Sequence, residues 1–222
     1  MKPLWIPGTK CGYHALTFGF LVDQIVRRLD PRKRGVEQIL REDILEKYGV
    51  KDISIGLPDE QSNLRVATVV QQTSEGLEVE RKLSPEGYNN PKKRCLKMPS
   101  NMGIGTARGL AELHSILARG KLLPSDMLEL ISTPQIINEM DIINGYPENK
   151  GFGWQYSKNK LGNWNFGHSG HGGQIVRVDL ETGLSYAYLC NGLKSSDSDH
   201  VLPFRRLQEA LYDCVLEIQA IF

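Results

Sequence analysis

The chain has 222 residues, 40% of them apolar, and its 27 basic and 26 acidic side chains leave a formal net charge of +1. That composition excludes the disordered, fibrous and membrane classes, and no field of a single sign points to nucleic acid. No stretch nears the roughly 20 apolar residues that span a bilayer, and the opening Lys2-Pro3-Leu4-Trp5-Ile6-Pro7 lacks a signal-peptide apolar core, so a cytoplasmic chain is expected.

In chain order, Phe18, Leu21, Val22, Ile25, Val26 and Leu29 recur at helical spacing with polar residues between them. This predicts an amphipathic helix packed on a core and ended at Asp30-Pro31. A second helix is predicted over 36–48, stopping at Gly49, and a short strand over 53–57. Residues 73–102 mix charge, Pro, Gly and Asn without a period and read as a long, mobile surface excursion. The basic run Lys92-Lys93-Arg94 within it reads as a solvated loop. Helical spacing returns over 106–118 and again after Pro124-Ser125-Asp126. From Gly151 the pattern changes to short strands, 152–156, 164–166, 174–179 and 184–190, separated by turn residues, which fits an antiparallel meander. A last amphipathic helix through Phe204, Leu207, Leu211, Val215 and Ile218 is expected to lie on one face of that sheet.

The four cysteines, Cys11, Cys95, Cys190 and Cys214, show neither a Cys-x-x-Cys pair nor zinc-like spacing. They are expected as reduced, mostly buried thiols, with no metal and no cofactor.

Two motifs carry chemistry. The first is Pro7-Gly8-Thr9 leading to Tyr13-His14-Ala15 at the entry of the first helix. A phenol ionises near pH 10, so Tyr13 acts as a base only beside a cation that holds it partly ionised. The second is Gly167-His168-Ser169-Gly170-His171-Gly172-Gly173, between two predicted strands. His168 and His171 make a poor zinc pair without a third ligand at a supporting spacing. The string misses the Gly-x-Ser-x-Gly nucleophile elbow by its last residue and does not sit at a strand-to-helix turn. His171-Gly172-Gly173 looks like a lipase oxyanion loop but lacks the elbow as its partner. His14, His114 and His200 read as packing or surface residues.

Together these residues resemble the serine β-lactamase-like hydrolases, the family of class C β-lactamases, penicillin-binding proteins and related esterases. Pro-Gly-Thr followed by Tyr13 resembles the family's Tyr-x-Asn segment, whose tyrosine takes part in proton transfer. His168-Ser169-Gly170 resembles its Lys-Thr-Gly or His-Thr-Gly strand. The resemblance implies that His168 and Ser169 contact substrate, that Gly170 clears space, and that the His171 N–H supplies half of an oxyanion hole. Gly151-Phe152-Gly153-Trp154, Asp179-Leu180-Glu181-Thr182-Gly183, Leu189-Cys190-Asn191-Gly192 and the run 102–111 fall in the family's order, so the likeness covers nearly the whole chain.

The implied fold is mixed α/β (α+β): an antiparallel sheet flanked by helices, with a helical subdomain, incomplete at the N-terminus. A single partial domain over 1–222 is expected, helical over about 12–135, with the sheet and last helix over about 150–222. Missing N-terminal strands would leave the 184–190 strand as an apolar edge that invites self-association.

The family's nucleophile, the serine of Ser-x-x-Lys, should lie well upstream of Tyr13, and only twelve residues precede Tyr13. The one such string, Ser157-Lys158-Asn159-Lys160, falls in a predicted hairpin. Ala15 in place of the asparagine removes a substrate amide contact, and His168 in place of lysine loses the cation at neutral pH, which favours small ester or amide substrates over β-lactams. Two functions are therefore expected: a serine acyl-enzyme hydrolase whose chain here is inactive alone, or a non-catalytic binding or regulatory protein of the same fold.

Overall fold

The computed structural model describes residues 2–71, 85–196 and 200–221. Its first half is helical. Helix α1 spans Thr17–Leu29. The second predicted helix forms as α2 (Val36–Ile39), a π-helical segment Leu40–Leu45 and α3 (Glu46–Tyr48), ending at Gly49. Strand β1 (Ile53–Ile55) is followed by a 3-10 turn at Gln61–Arg65 and by β2 (Val70–Gln71). Two short helices, α4 (Glu86–Asn89) and α5 (Pro91–Arg94), precede β3 (Gly103–Gly105), which pairs antiparallel with β1. Helices α6 (Ala107–Ala118) and α7 (Ser125–Leu130) complete this half.

The second half is one six-stranded antiparallel meander. Its strands are β4 (Ile136–Met140), β5 (Pro147–Gly151), β6 (Trp154–Lys158), β7 (Trp164–Gly170), β8 (Gln174–Asp179) and β9 (Leu184–Tyr188), neighbours in that order. A short β10 (Gly192–Leu193) pairs parallel with β2, and α8 covers Leu202–Gln219. Among the described residues β9 is the terminal strand of the sheet.

Strand β8 shows how the layers form, because alternate residues of a strand face opposite sides. Val178 joins Leu117 of α6, Ile131, Tyr156 and Phe166 in one core cluster. Ile175, on the opposite face, packs with Val201 and Phe204 at the start of α8, beside Tyr186 and Tyr188. The sheet is thus sandwiched between α6 and α8. Tyr212 of α8 is fully buried and donates to the buried Asp179 carboxylate at 2.9 Å, a polar rivet through the α8 layer. The buried stripe of α8 runs through Phe204 and Tyr212, whereas Leu207 and Ile218 of the expected stripe are exposed.

Four expectations are corrected. Helix α1 forms where its spacing predicts, but its apolar face is not packed on a core: Phe18, Leu21, Ile25 and Leu29 are 56%, 57%, 57% and 77% exposed. Its buried residues are Gly19 and Asp23. The Gly19 N–H donates to Ser100 Oγ at 2.6 Å, and Asp23 accepts from Arg27 Nε at 2.7 Å and from the Val36 N–H at 2.9 Å. Polar contacts therefore seat this helix.

The expected excursion over 73–102 lies partly outside the described residues, and its remainder is built rather than loose. Lys92-Lys93-Arg94 is helical, started by the Asn90 side chain, which accepts from the Lys92 and Lys93 N–H groups. Arg94 is buried and donates to Tyr88 O, Asn63 Oδ1, Ala67 O and Asn89 Oδ1, tying three segments together. The cysteines form no disulfide, yet they are half-exposed (Cys11, Cys95, Cys190) or exposed (Cys214), not buried. Finally, the sheet begins earlier than Gly151, with the unpredicted hairpin β4–β5. Among the described residues no helix is long and apolar enough to cross a membrane.

Candidate active site

Strand β7 extends past its predicted end, so His168, Ser169 and Gly170 lie in the strand and not in a loop. Their register is fixed on both sides: Gln155 of β6 opposes Gly167, and Val176, Ile175 and Gln174 of β8 oppose His168, Ser169 and Gly170. Gly167 is required by close approach, since a Cβ there would fall 1.9 Å from the Val176 carbonyl oxygen. The strand ends in the turn His171-Gly172-Gly173, where φ values of 73° and 95° at the two glycines suit no other residue as well.

Tyr13 reaches this strand from the N-terminal segment. Cys11 forms a parallel bridge with Asp141, and the Ile142 N–H donates to Cys11 O at 3.1 Å. The Tyr13 N–H donates to Asp141 Oδ1 at 3.2 Å. These contacts set the Tyr13 ring 5.9 Å from the His168 ring, centroid to centroid, at 36°. The sequence motifs at 13 and 168 are therefore brought together across more than 150 residues of chain.

His168 is mostly enclosed. Its Nδ1 lies 2.6 Å from the Ser169 carbonyl oxygen, which only accepts, so Nδ1 carries the proton and Nε2 the lone pair of the neutral ring. Burial holds the imidazole below the usual histidine range, against the opposing pull of that carbonyl. At neutral pH residue 168 is thus a hydrogen-bond acceptor and not a cation. The Ser169 N–H donates to Gln155 Oε1 at 2.8 Å, while the Ser169 hydroxyl is buried and meets no hydrogen-bonding partner among the described residues. His171 is exposed and stacks on Tyr88 of α4 at 5.9 Å.

Sequence reasoning missed the acidic and basic groups beneath Tyr13. Asp141 opens the turn between β4 and β5, and its Oδ1 also accepts from the Ile143 and Asn144 N–H groups at 2.9 and 2.8 Å. Lys150 of β5 contacts Asp141 Oδ2 at 2.5 Å and Glu148 Oε2 at 2.7 Å, and its Nζ lies 5.6 Å from the centroid of the Tyr13 ring. Gln155 Nε2 donates to Glu148 Oε1 at 3.3 Å, which links this cluster to the amide holding Ser169. Burial alone would raise the Asp141 pKa, but Lys150 and the N–H groups of Asn144, Tyr13 and Ile143 outweigh it and hold the carboxyl at about 2. The available signal was Asn144-Gly145, a hairpin dipeptide, with an aspartate three residues before it in the turn-forming position.

The Ser157-x-x-Lys160 string is excluded as a nucleophile pair by its placement. Ser157 Oγ, on β6, donates to Asn165 Oδ1 at 2.7 Å, and Lys160 is ion-paired with Asp213 of α8. His14 and His200 are exposed, and His114 bonds Leu110 O and packs edge-on against Trp154. Among the described residues no three His, Cys, Asp or Glu side chains form a group that could hold a metal ion.

Comparison with known proteins settles the lineage. The Beta-lactamase family model matches residues 1–211. The chain belongs to that family. It is 24% identical over 224 residues to the esterase/beta-lactamase LipL of Mycobacterium tuberculosis (strain ATCC 25618 / H37Rv), covering 86% of this chain and 51% of LipL. Among solved structures it superposes on a penicillin-binding protein homolog from Caulobacter crescentus at a TM-score of 0.71 and 29% identity, covering 88% of this chain and 57% of that one. The fold of EstA from Arthrobacter nitroguajacolicus Rue61a also matches, at a TM-score of 0.72 and 22% identity, over 87% of this chain and 57% of EstA. The chain spans about half the length of these relatives. The mixed fold of antiparallel sheet and helices expected from the sequence is the fold these structures share.

Proposed function

We propose that the Tyr13–His168 pair is the proton-transfer and substrate-positioning half of a serine acyl-hydrolase site for small esters or amides. The observation that carries this reading is the approach of Tyr13 and His168 to 5.9 Å, built by residues at opposite ends of the chain. Tyr13 serves as the proton-transfer group. The His168 Nε2 lone pair accepts a hydrogen bond from substrate or from the Tyr13 phenol, Gly170 leaves room for the acyl group, and the His171 N–H meets the developing oxyanion. The Ser169 hydroxyl, without a partner where it lies, costs roughly 1–3 kcal/mol that a bound polar group would relieve. The esterase/beta-lactamase name of LipL is in keeping with ester or amide bonds as the target.

Among the described residues the Ser157-x-x-Lys160 string has its serine bonded to Asn165 and its lysine paired with Asp213, so by itself the chain is expected to bind without forming an acyl-enzyme. Adding a chromogenic short-chain ester and a fluorophosphonate serine probe should give neither turnover nor serine labelling. A short-chain phosphonate analogue should shift the His168 imidazole resonances, and His168→Gln should weaken its binding. Serine-dependent turnover would overturn the reading of the nucleophile. Phosphonate binding unchanged in both Tyr13→Phe and His168→Gln would overturn the site and favour a binding protein that works elsewhere on the fold.

A further inference from the structure

Tyr13 is read above as a proton-transfer group, and a phenol does that work near neutral pH only if its surroundings favour the phenolate. His168 is neutral at that pH and supplies no charge. Lys150 lies against the ring and Asp141 holds its backbone, while Glu148, Lys150 and Arg177 of β8 act electrostatically on the neighbouring His168, and Asp141, Glu148 and Lys150 on Cys11 of its own segment, which also carries His14.

Asp141 has the geometry of an anchor. Its side chain is 1% exposed and each oxygen has a separate task. Oδ1 receives the Tyr13 N–H, and Oδ2 receives the Lys150 ammonium. One carboxylate therefore fixes the tyrosine's backbone and the lysine's charge relative to each other. Lys150 is 16% exposed and Glu148 10%, so little water screens the three charges. Burial works against the Lys150 ammonium, but its hydrogen bonds to Asp141 and Glu148 prevail and raise its pKa above the ordinary 10.5. The ammonium thus keeps its charge through the range in which a phenol titrates.

We propose that Asp141 and Lys150 are the positioning residues of Tyr13: the buried carboxylate registers the ring over the ammonium, and the ammonium favours loss of the phenol proton, with Glu148 as the opposing charge that moderates it. This rests on the reading of Tyr13 as the proton-transfer group. A purely structural ion cluster would hold the β4–β5 hairpin together and leave the phenol's titration where it is.

The signs separate the two. Lys150→Met leaves two carboxylates near the ring and should move the Tyr13 titration midpoint up, on the order of one pH unit for charges at this separation. Glu148→Gln removes one negative charge and should move it down by a smaller amount. Lys150→Arg keeps the charge and should leave it within a few tenths of a unit. The measurement is a pH titration of the tyrosine Cζ resonances in the 222-residue chain labelled with carbon-13, with Tyr13→Phe identifying the signal among the eight tyrosines.

In Asp141→Asn, amide exchange at Tyr13 should speed up relative to the neighbouring sheet. Should Lys150→Met fail to fold, Glu148→Gln, which keeps shape and one ion pair, still carries the test. A midpoint unmoved in either variant, or moved in the same direction by both, overturns the proposal. No substrate enters this experiment, so loss of phosphonate binding would sink the hydrolase reading while the titration shifts still stand.

Discussion

Helices α1 and α6 carry similar amphipathic patterns, thirteen and twelve residues long, yet they meet different surroundings. Helix α6 has a core beneath its apolar side: Ile116 is 4% exposed and packs with Leu45 and Val50, and Leu117 joins the sheet cluster around Phe166. Helix α1 turns Phe18, Leu21, Ile25 and Leu29 to solvent and is seated by Gly19 and Asp23 instead. A helical period reveals that a face exists; what lies against that face depends on contacts made by distant parts of the chain.

The comparison breaks most visibly through α6. Ile116→Ala should destabilise the chain by about 2–5 kcal/mol, because the removed atoms leave a cavity among Leu45, Val50 and Leu113 that close packing cannot fill. Urea unfolding followed by circular dichroism checks this, and a cost under about 1 kcal/mol would show that this cluster is not well packed. On α1 the sensitive position is polar. Asp23→Ala removes the acceptor of the Val36 N–H and the partner of Arg27, and should cost about 1–3 kcal/mol in the same measurement.

How much of this was legible in sequence follows the range of the interactions involved. Helices α1 and α6 and strands β6, β8 and β9 were readable because their periods and turn residues are local. That Tyr13 and His168 approach each other was readable because their motifs match a family pattern. The β4–β5 hairpin was not, since Ile136–Met140 and Pro147–Gly151 do not alternate cleanly: Asn138 sits in a bulge with a φ of 54°, and β5 consists of Pro147, Glu148, Asn149, Lys150 and Gly151. Asp141 and Lys150 stayed hidden with it. Arg94 looked like part of a solvated basic run because nothing nearby in sequence announces Asn63 and Ala67 as its acceptors.

A smaller effect depends on pH. His114 packs on Trp154 and His168 lies on β7, and burial lowers the pKa of both from 6.5 in the folded chain. The unfolded chain takes up those protons first as pH falls, so their contribution to stability is complete above about 6.5 and declines below it. Unfolding midpoints in urea should therefore fall between pH 7.5 and 5.5, and His114→Gln should flatten that decline. Asp141 acts in a separate window. Its carboxyl is held at about 2, so its contribution is complete above about 4 and is lost as pH falls through 2. A midpoint independent of pH from 7.5 to 5.5 would show that neither histidine is buried as described.

The smallest expected change is the most informative about α1. Leu21 and Ile25 lie one helical turn apart on the exposed face, each 57% accessible. Leu21→Ser should change the unfolding free energy by no more than about 0.5 kcal/mol, as exposed surface substitutions do. The same substitution at a covered position would lose most of a leucine's burial, roughly 1.5–3 kcal/mol. Measuring Leu21→Ser across a hundredfold range of protein concentration uses that gap. A small, concentration-independent effect keeps the two helices in different classes. A cost approaching 2 kcal/mol that grows with concentration would mean that a second copy covers the α1 face in solution, and the contrast with α6 would then be one of partner rather than of burial.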